Sequence, residues 1–521
     1  ETPFRSASGL PTLAGVGLEE DKIGNNVCVK RKPPPPPPPT KEEKKAEAAR
    51  QETVKMHKET SEAQLAAVDS ELHIALEQDT THLIVVVLGA SGDLAKKKTF
   101  PALLELYKAD FLPRKLHIVG YARSGMTDAE LRTKLRTAGF LKGEDEVVHD
   151  FLSHITYVSG QYDGDGDPKG YTELQAKLKS LEDGQTCKCG RLFYLALPPK
   201  VYPEVCKGIK DHVSEMAHCP EGGNWLRLIV EKPFGTDLES SNVLAQKLGN
   251  LWPESQLYRI DHYLGKELVQ NMVFMRFSNM FLAGTWDRNH IDNVQITFKE
   301  PFGTDGRGGY FDSVGIIRDV IQNHLLQVMA LLTMEKPVSL SPDDIRDEKL
   351  KVLRYIPPLT NKDVVIGQYT SDGTRPGYLD DDTVPAGSKC PTFASCVLHI
   401  NNDRWDGVPF IVKAGKAMNE KKVDVRIQFK SVPASLWGPE VADTHRNELV
   451  MRLQPNDAIY MKVNVKQPGW SNNIHMSEMD LSYKNRYEGL RIPEAYERLI
   501  LDCVRGDQQH FVRRDELEVA W

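Results

Sequence analysis

The sequence predicts an α/β domain followed by an α+β domain with a large, mainly antiparallel sheet. Between residues 81 and 260, short apolar runs alternate with helical patterns, as in a parallel sheet covered on both faces. After residue 260, several segments alternate apolar and polar residues, which indicates strands with one solvated face. We therefore assign residues 81–260 to the first domain and 261–521 to the second.

The first domain begins with the β-branched run His82–Leu88, a predicted buried strand. A helix follows, because its apolar side chains recur at i, i+3, i+4 and i+7: Phe100, Leu103, Leu104 and Tyr107. Pro101 predicts the start or a bend of that helix. Further strands are predicted at the apolar segments Leu116–Tyr121, Ile155–Val158, Leu192–Leu197 and Leu226–Val230.

The second domain begins with a predicted helix over Asp261–Arg276. A second helical segment, beginning at Arg318, has an apolar stripe composed of Ile317, Ile321, Leu325 and Val328. The predicted strands of this domain are Val294–Phe298, Phe393–Ile400, Val423–Phe429, Leu449–Leu453 and Ala458–Val465.

Residues 1–80 have a different composition from the rest of the chain. Pro33–Pro39 is an unbroken proline run, which predicts extended polyproline II. Lys41–Glu77 is rich in Lys, Glu, Ala and Gln and contains few large apolar residues. We expect a disordered or weakly helical N-terminal extension.

Composition excludes several classes of protein. The 521 residues include 66 basic and 73 acidic side chains, and a net charge of −7 argues against a sequence-independent nucleic-acid binder. No run of about 18 apolar residues occurs, so no membrane-spanning helix is predicted. The eight cysteines include one close pair, Cys187 and Cys189; without a matched second pair, no metal site is predicted and the thiols are expected to be reduced.

A glycine turn follows the first predicted strand. Its residues are Gly89, Ala90, Ser91, Gly92, Asp93, Leu94, Ala95 and Lys96. Glycines let backbone N–H groups approach a pyrophosphate, and a helix N-terminus supplies positive potential. The spacing departs from G-x-G-x-x-G and an ordinary turn is the alternative, but the position after a buried strand favours a Rossmann-type dinucleotide site.

Arg123 stands at the end of the second predicted strand, where NAD sites place an acidic residue. An arginine there suits the 2′-phosphate of NADP, and a surface arginine is the alternative. Lys232 follows the strand Leu226–Val230, at the edge of the sheet where α/β proteins bind ligands; a surface lysine in a turn is its alternative.

Three further groups suggest chemistry. His262 and Lys266 share one face of the predicted helix and could hold a phosphate, or mark an ordinary exposed helix start. His324 is either a core histidine or a general base, and Asp319 lies about 140° from it on an ideal α-helix, so spacing alone does not bring the two together. A basic cluster indicates either a polyanion site or a solvated loop: Lys413, Lys416, Lys421, Lys422 and Arg426.

Five motifs occur in the order known from one family, over about Thr81–Trp521. They are GASGDLAKKK (Gly89–Lys98), EKPFG (Glu231–Gly235), RIDHYLGK (Arg259–Lys266), FKEPFGTDGRGGYFD (Phe298–Asp312) and RWDGVPF (Arg404–Phe410). The chain thereby resembles glucose-6-phosphate dehydrogenase. The resemblance implies oxidation of glucose 6-phosphate at C1 to 6-phosphoglucono-lactone with hydride transfer to NADP, the first step of the oxidative pentose phosphate pathway. It also implies a cytoplasmic homodimer or homotetramer.

The resemblance implies specific roles by position. His324 matches the general base and Asp261 its partner. Substrate contacts are implied for Lys232, His262, Tyr263, Lys266, Glu300, Asp319 and Lys416. Coenzyme contacts are implied for the glycine turn, Arg123, Tyr194 and Lys232. A second, structural NADP site is implied at Lys413, Lys422, Arg426 and Arg446.

Two departures from the family pattern concern that structural site. Lys413 stands where an arginine is expected, which replaces a planar bidentate contact by a point charge. The chain ends at Trp521, so we expect a C-terminus truncated relative to the family. A catalytically impaired NADP-binding protein of the same fold is the alternative function; loss of His324, Asp261 or Lys266 would favour it, and all three are present.

Overall fold

The structure, a computed structural model, describes residues 81–163, 168–184, 188–216, 223–438, 445–487 and 490–521. The extension predicted over residues 1–80 lies outside the described residues, as does Cys187.

The first sheet has six parallel strands in the order β3-β2-β1-β4-β5-β6. Their bounds are β1 His82–Leu88, β2 Leu116–Ala122, β3 Ile155–Ser159, β4 Cys189–Leu195, β5 Trp225–Glu231 and β6 Leu257–Ile260. The predicted α/β class is confirmed, and β6 is the strand that the sequence analysis missed. The strand order reverses between β1 and β4, where ligands bind in open α/β sheets.

Helices cover both faces of this sheet. They are α1 Phe100–Lys108, α2 Asp128–Thr137, α3 Asp145–Ser153, α4 Lys169–Glu182, α5 Tyr202–His212 and α6 Leu238–Leu251. A π-helix, Ala95–Thr99, leads directly into α1, and Pro101 is the second residue of α1. Alternate β1 residues enter opposite cores: Val85 packs on one face and Val86 on the other.

The second sheet has eight strands in the order β14-β13-β12-β11-β7-β10-β9-β8. Their bounds are β7 Ile291–Lys299, β8 Val364–Gly367, β9 Phe393–Leu398, β10 Phe410–Gly415, β11 Lys422–Phe429, β12 Glu448–Gln454, β13 Ala458–Lys466 and β14 Ile474–Ser482. Only β7 and β10 pair in parallel, so the predicted mainly antiparallel sheet is confirmed. The sequence analysis missed β8, β10 and β14.

The remaining helices surround the second sheet or return to the first. They are α7 Glu267–Ser278, α8 Met280–Ala283, α9 Gly308–Asp312, α10 Leu326–Thr333, α11 Pro342–Arg354, α12 Tyr483–Arg486, α13 Ala495–Arg505 and α14 Arg514–Ala520. A second π-helix, Ile317–Leu325, leads into α10. None of the helices in the described ranges has both the length and the apolar character to span a bilayer.

Helix α13 packs on the first domain although it lies near the end of the chain. Leu499 and Ile500 share a core with strands β1 and β2, and Arg227 of β5 donates to the Cys503 and Val504 carbonyls at 2.8 and 2.7 Å. This return brings residues close to the C-terminus beside the glycine-turn domain. The domain bounds drawn from the sequence remain a prediction.

Candidate active site

His324 and Asp261 form a buried pair where the two domains meet. His324 lies on the π-helix Ile317–Leu325 and Asp261 directly follows β6. Nδ1 of His324 lies 2.5 Å from Oδ1 of Asp261, and both side chains are at most 4% exposed. A carboxylate oxygen only accepts, so Nδ1 carries the proton and Nε2 is the free acceptor of a neutral imidazole.

The environment determines the charge on each partner. Burial lowers the pKa of His324, although the Asp261 carboxylate opposes the shift. Burial alone would raise the pKa of Asp261, but the charge and hydrogen bond of His324 outweigh it and bring that pKa to about 2. Near pH 7 the pair is therefore an ionised carboxylate that orients a neutral imidazole, the arrangement a general base requires.

The predicted helix over Asp261–Arg276 is wrong in its first part, because α7 begins only at Glu267. The segment from Asp261 to Lys266 forms turns: Oδ1 of Asp261 accepts the N–H of Tyr263 at 2.9 Å, and Lys266 N donates to the Tyr263 carbonyl. An aspartate that bonds the backbone two residues on makes a turn that competes with a helix. His262 therefore precedes the helix, and Lys266 is its N-cap residue.

These turns place three of the predicted substrate contacts, His262, Tyr263 and Lys266, around His324. Tyr263 stacks on His324, with ring centroids 4.4 Å apart at 14°. The His262 ring meets His324 edge-on, with centroids 4.5 Å apart. Nζ of Lys266 lies 5.0 Å above the Tyr263 ring, and burial lowers the pKa of this lysine.

Four of the predicted sugar contacts form a chain of alternating charge. Lys232 donates to the carboxylate of Asp319 at 3.0 Å and to its carbonyl at 2.8 Å. Lys416 lies 3.9 Å from the other Asp319 oxygen and donates to Glu300 at 2.8 Å. Burial raises the pKa of Asp319, but the charge and hydrogen bond of Lys232 outweigh this and lower it overall. These charged groups lie near His324 and can bind the polar groups of a ligand.

The π-helix changes the expected relation between Asp319 and His324. In a π-helix, backbone hydrogen bonds join residues five apart, so these two lie nearer one another than the 140° expected on an α-helix. The His324 charge contributes to the lowered pKa of Asp319, which agrees with this proximity. The 140° estimate assumed α-helical geometry and does not describe this segment.

The glycine turn lies at the carboxyl end of the central strand β1. Gly89 has φ +84°, and a Cβ there would meet the Ala196 carbonyl oxygen at 2.4 Å. The chain becomes helical at Asp93, which forms ion pairs with Lys96 at 3.2 Å and Lys97 at 3.0 Å. A close turn that opens a helix fits the pyrophosphate of a dinucleotide.

Two predicted coenzyme residues differ in position. Arg123 directly follows β2, the strand beside β1, and its guanidinium lies 5.4 Å from the centre of the Tyr162 ring. Tyr194 is 1% exposed and its hydroxyl donates to Oε1 of Glu231 at 2.6 Å, so this side chain is part of the core. A cleft of about 930 Å³ is lined by Leu94, Lys232, Tyr310 and Tyr496 among others.

The structure divides the predicted basic cluster. Strand register puts Lys413, Lys422 and Arg426 on one face of the second sheet, together with Lys299 and Arg452. Lys416 belongs instead to the charged chain beside His324. Arg446 pairs with Asp292 at 2.9 Å and lies four residues before Val450, the strand partner of Arg426, a separation of roughly 13 Å.

Sequence reasoning missed Gln454 and Tyr496. Oε1 of Gln454 accepts a hydrogen bond from Lys266 at 3.2 Å, and the Tyr496 ring lies parallel to His262, with centroids 5.9 Å apart at 10°. Both are more than 180 residues from their partners and neither belongs to a motif that signals a ligand. No local pattern could have identified them.

One metal-ligand geometry occurs in the described part of the chain. Ligand atoms of Asp261, His262 and His324 lie within 4.8 Å of one another, close enough to hold an ion. The ionised Asp261 already bonds His324 in this arrangement. That no metal is required remains a prediction.

Comparison with known proteins identifies the family. Residues 86–271 match the family description "Glucose-6-phosphate dehydrogenase, NAD binding domain", and residues 273–521 match its C-terminal domain. A cytoplasmic glucose-6-phosphate 1-dehydrogenase of Arabidopsis thaliana is 56% identical over 452 residues, which cover 85% of each chain. The Emericella nidulans glucose-6-phosphate 1-dehydrogenase is 52% identical over 454 residues, covering 86% of this chain and 85% of the relative.

Solved structures agree. A glucose-6-phosphate dehydrogenase in complex with its substrate glucose 6-phosphate superposes with a TM-score of 0.79 at 49% identity, covering 85% of this chain and 90% of that chain. The enzyme from Mycobacterium avium superposes with a TM-score of 0.72 at 33% identity, covering 84% and 89%. The chain belongs to the glucose-6-phosphate dehydrogenase family.

Proposed function

We propose that this chain oxidises glucose 6-phosphate at C1, with hydride transfer to NADP, and releases 6-phosphoglucono-lactone in the first step of the oxidative pentose phosphate pathway. The observation that carries the proposal is the buried, neutral His324 oriented by Asp261 beside a charged cleft. The relatives described above, all named glucose-6-phosphate dehydrogenases, support the same activity. Because the catalytic pair is formed, nothing favours the alternative of a catalytically impaired protein.

In this mechanism the chain's own residues manage the proton. Nε2 of His324 removes the proton of the C1 hydroxyl as the hydride leaves C1. The Asp261 carboxylate keeps the imidazole in the required tautomer and stabilises the imidazolium that forms. The coenzyme supplies only the hydride acceptor. Because the sugar ring is already closed, oxidation of C1 gives the lactone directly and needs no further group from the protein.

The substrate's phosphate and sugar bind to the charged residues around this pair. His262, Tyr263 and Lys266 hold the phosphate dianion, and the burial that lowers the pKa of Lys266 also strengthens its charged contact. Glu300, Asp319 and Lys416 hold the sugar hydroxyls. Lys232 lies on the boundary between the sugar and the coenzyme, since it reaches Asp319 and lines the large cleft. On binding, substrate oxygens replace part of the ion pairing among these side chains.

NADP is the coenzyme because Arg123 stands at the end of β2, beside the glycine turn, where the 2′-phosphate of the adenine ribose is expected. The turn residues from Gly89 to Lys96 hold the pyrophosphate. Tyr194 supports the coenzyme site from the core and does not contact the coenzyme with its hydroxyl, because that hydroxyl donates to Glu231.

Replacing Arg123 by alanine is expected to weaken NADP use more than NAD use. One charge-assisted contact is worth about 1.5–3 kcal/mol, so kcat/KM for NADP should fall by roughly tenfold to a hundredfold while the value for NAD changes little. Arg136→Ala is the matched control, because Arg136 lies on α2 and pairs with Asp145 instead. If Arg123→Ala leaves the ratio of kcat/KM for NADP to that for NAD unchanged, Arg123 does not bind the 2′-phosphate.

We also propose the structural NADP site on the exposed face of the second sheet. Its members are Lys413, Lys422 and Arg426, while Arg446 contributes from the segment that precedes β12. Strand register places seven cations and four acids on this face: Lys299, Lys413, Lys422, Arg426, Arg452, Lys462 and Lys466, with Asp424, Glu448, Glu478 and Asp480. Asp424 pairs with Lys422 and Arg426, and Glu448 with Lys462, so a polyanion must displace these internal partners.

The chain is proposed to be cytoplasmic and to form a homodimer or homotetramer. Relatives from Arabidopsis and Solanum tuberosum are named cytoplasmic. Val432, Leu436 and Trp437 expose apolar side chains beside a cavity of about 820 Å³ at strands β13 and β14, and exposed apolar patches are typical of association sites. Sedimentation analysis of the purified chain tests whether this face joins two copies.

The direct test of the activity is the rate of NADPH formation from glucose 6-phosphate and NADP, compared with glucose as substrate and with NAD as coenzyme. We expect turnover that depends on the phosphate of the sugar and on the 2′-phosphate of the coenzyme. Absence of coenzyme reduction with every combination would contradict the proposed function.

A further inference from the structure

The roles proposed above do not explain what holds the His262 ring in one orientation. In the described part of the chain, neither ring nitrogen of His262 forms a hydrogen bond to another protein group. The ring is held instead by three aromatic neighbours: Tyr263 at 5.1 Å, His324 at 4.5 Å and Tyr496 at 5.9 Å between centroids. Both nitrogens thus stay available to a ligand, and packing alone sets the ring plane.

Of these three rings, only that of Tyr496 lies parallel to the His262 plane. The two planes differ by 10°, whereas those of Tyr263 and His324 cross it at 66° and 74°. Two edge-on neighbours limit the translation of an imidazole, and a parallel face limits its tilt about the Cβ–Cγ bond. Offset-parallel packing at this separation lies within the favourable range for aromatic pairs.

Tyr496 is itself held by its helix. It is the second residue of α13, which packs on the first domain through Leu499 and Ile500. Burial and the nearby Glu231 carboxylate raise the pKa of the Tyr496 hydroxyl. Glu231, the last residue of β5, is fixed in turn, because its side chain accepts a hydrogen bond from Tyr194 at 2.6 Å and its backbone bonds the Tyr202 hydroxyl at 3.0 and 3.2 Å. The Tyr496 ring therefore belongs to a well-packed helix and not to a loop.

We propose that Tyr496, held by α13, is a positioning residue that sets the plane of His262 for the phosphate of the substrate. This inference rests on the proposed function, in which His262 contacts that phosphate. Tyr496 acts through His262 and does not itself hold the phosphate. The sequence signal for such a role is absent, because 234 residues separate the two rings.

A double-mutant cycle tests the proposal by direct binding. The affinity for glucose 6-phosphate is measured by titration calorimetry, without coenzyme, for the wild type, Tyr496→Leu, His262→Asn and the double variant. We expect Tyr496→Leu to raise Kd by roughly three- to tenfold in the wild type, the range for an aromatic pair, and by less than twofold when His262 is already asparagine. An equal effect in both backgrounds would overturn the proposal, as would no effect in either.

Further variants separate positioning from folding. Tyr496→Phe keeps the ring and should bind within about twofold of the wild type, while Tyr496→Met fills a similar volume without an aromatic face and should resemble Tyr496→Leu. Tyr355→Leu, on an exposed tyrosine 43% accessible, is the control. A lower thermal midpoint for Tyr496→Leu with Tyr496→Met binding normally would assign the residue a structural role and overturn the proposal.

The experiment also distinguishes this inference from the proposed function. If the wild type binds and oxidises glucose 6-phosphate while the cycle is additive, only the role of Tyr496 is wrong. If the wild type does not bind glucose 6-phosphate, the proposed function and the inference are both overturned. A loss of NADP affinity in Tyr496→Leu with unchanged sugar affinity would assign Tyr496 to the coenzyme and overturn its role at His262.

Discussion

His324→Asn is expected to lower kcat by about 10²–10⁴-fold, with little change in the KM for glucose 6-phosphate. Asparagine preserves a side chain of similar reach and can still donate to Asp261, but it cannot take the proton of the C1 hydroxyl. The loss therefore falls on the transition state and not on the bound substrate. Steady-state kinetics at saturating NADP measure both constants.

Asp261→Asn is the companion variant and should lose less, because it removes orientation and charge support but leaves the base. The pH profile gives its distinguishing result. In the wild type, kcat/KM should fall on the acid side below pH 6.5, since burial lowers the pKa of His324. The Asp261 carboxylate raises that pKa, so its loss should move the acid limb to lower pH. Near-normal kcat in His324→Asn would reject the assignment of the base.

Lys266→Ala is expected to raise the KM for glucose 6-phosphate by about ten- to a hundredfold, with kcat changed only slightly. The lysine is the cation next to His262 at the end of the turn that follows β6, and a charged hydrogen bond is worth about 1.5–3 kcal/mol. The phosphate is remote from C1, so the contact stabilises the ground state and the transition state alike. Initial rates over a range of sugar phosphate concentrations measure the change.

Unphosphorylated glucose provides the matched control for this variant. Its kcat/KM should be nearly the same in the wild type and Lys266→Ala, because the missing contact belongs to the phosphate. Lys351→Ala, on an exposed lysine that pairs with Glu348, should leave both substrates unaffected. Equal losses with glucose and glucose 6-phosphate would show that Lys266 supports the fold and not phosphate binding.

The first domain was largely predictable because its signals are local. A buried parallel strand is a continuous apolar run, and β1 through β5 were each visible in this way. Strand β6 is short, and its residues Arg259 and Ile260 open a motif whose polar residues suggested a helix. The segment turns at Asp261 instead, because the Asp261 side chain accepts the backbone N–H of Tyr263. Hydrophobic periodicity does not reveal such a side-chain to backbone hydrogen bond.

Edge and connecting strands of the second sheet were harder to predict. All residues of strands β14 and β8 are half or fully exposed, so neither strand has a buried face that would give strong alternation. Strand β10 is inserted beside β7 with a parallel register that depends on long-range pairing. Local sequence patterns do not show which strand β10 pairs with.

The candidate site shows the same division. Gly89 and Arg123 stand where strand-end rules place coenzyme residues, and His324 has the chemistry of a base, so each could be nominated locally. The π-helix that brings Asp319 near His324 could not be predicted, because its residues also fit an α-helical stripe. Tyr496 and Gln454 reach the site only through tertiary folding.

The central claim is that hydride leaves C1 of glucose 6-phosphate for NADP. The most direct test supplies the sugar phosphate with deuterium at C1 and determines the mass of the coenzyme after turnover. The account predicts that the reduced coenzyme gains one deuterium and that the sugar product loses it. Reduced coenzyme without deuterium, or deuterium retained on the product, would contradict the account.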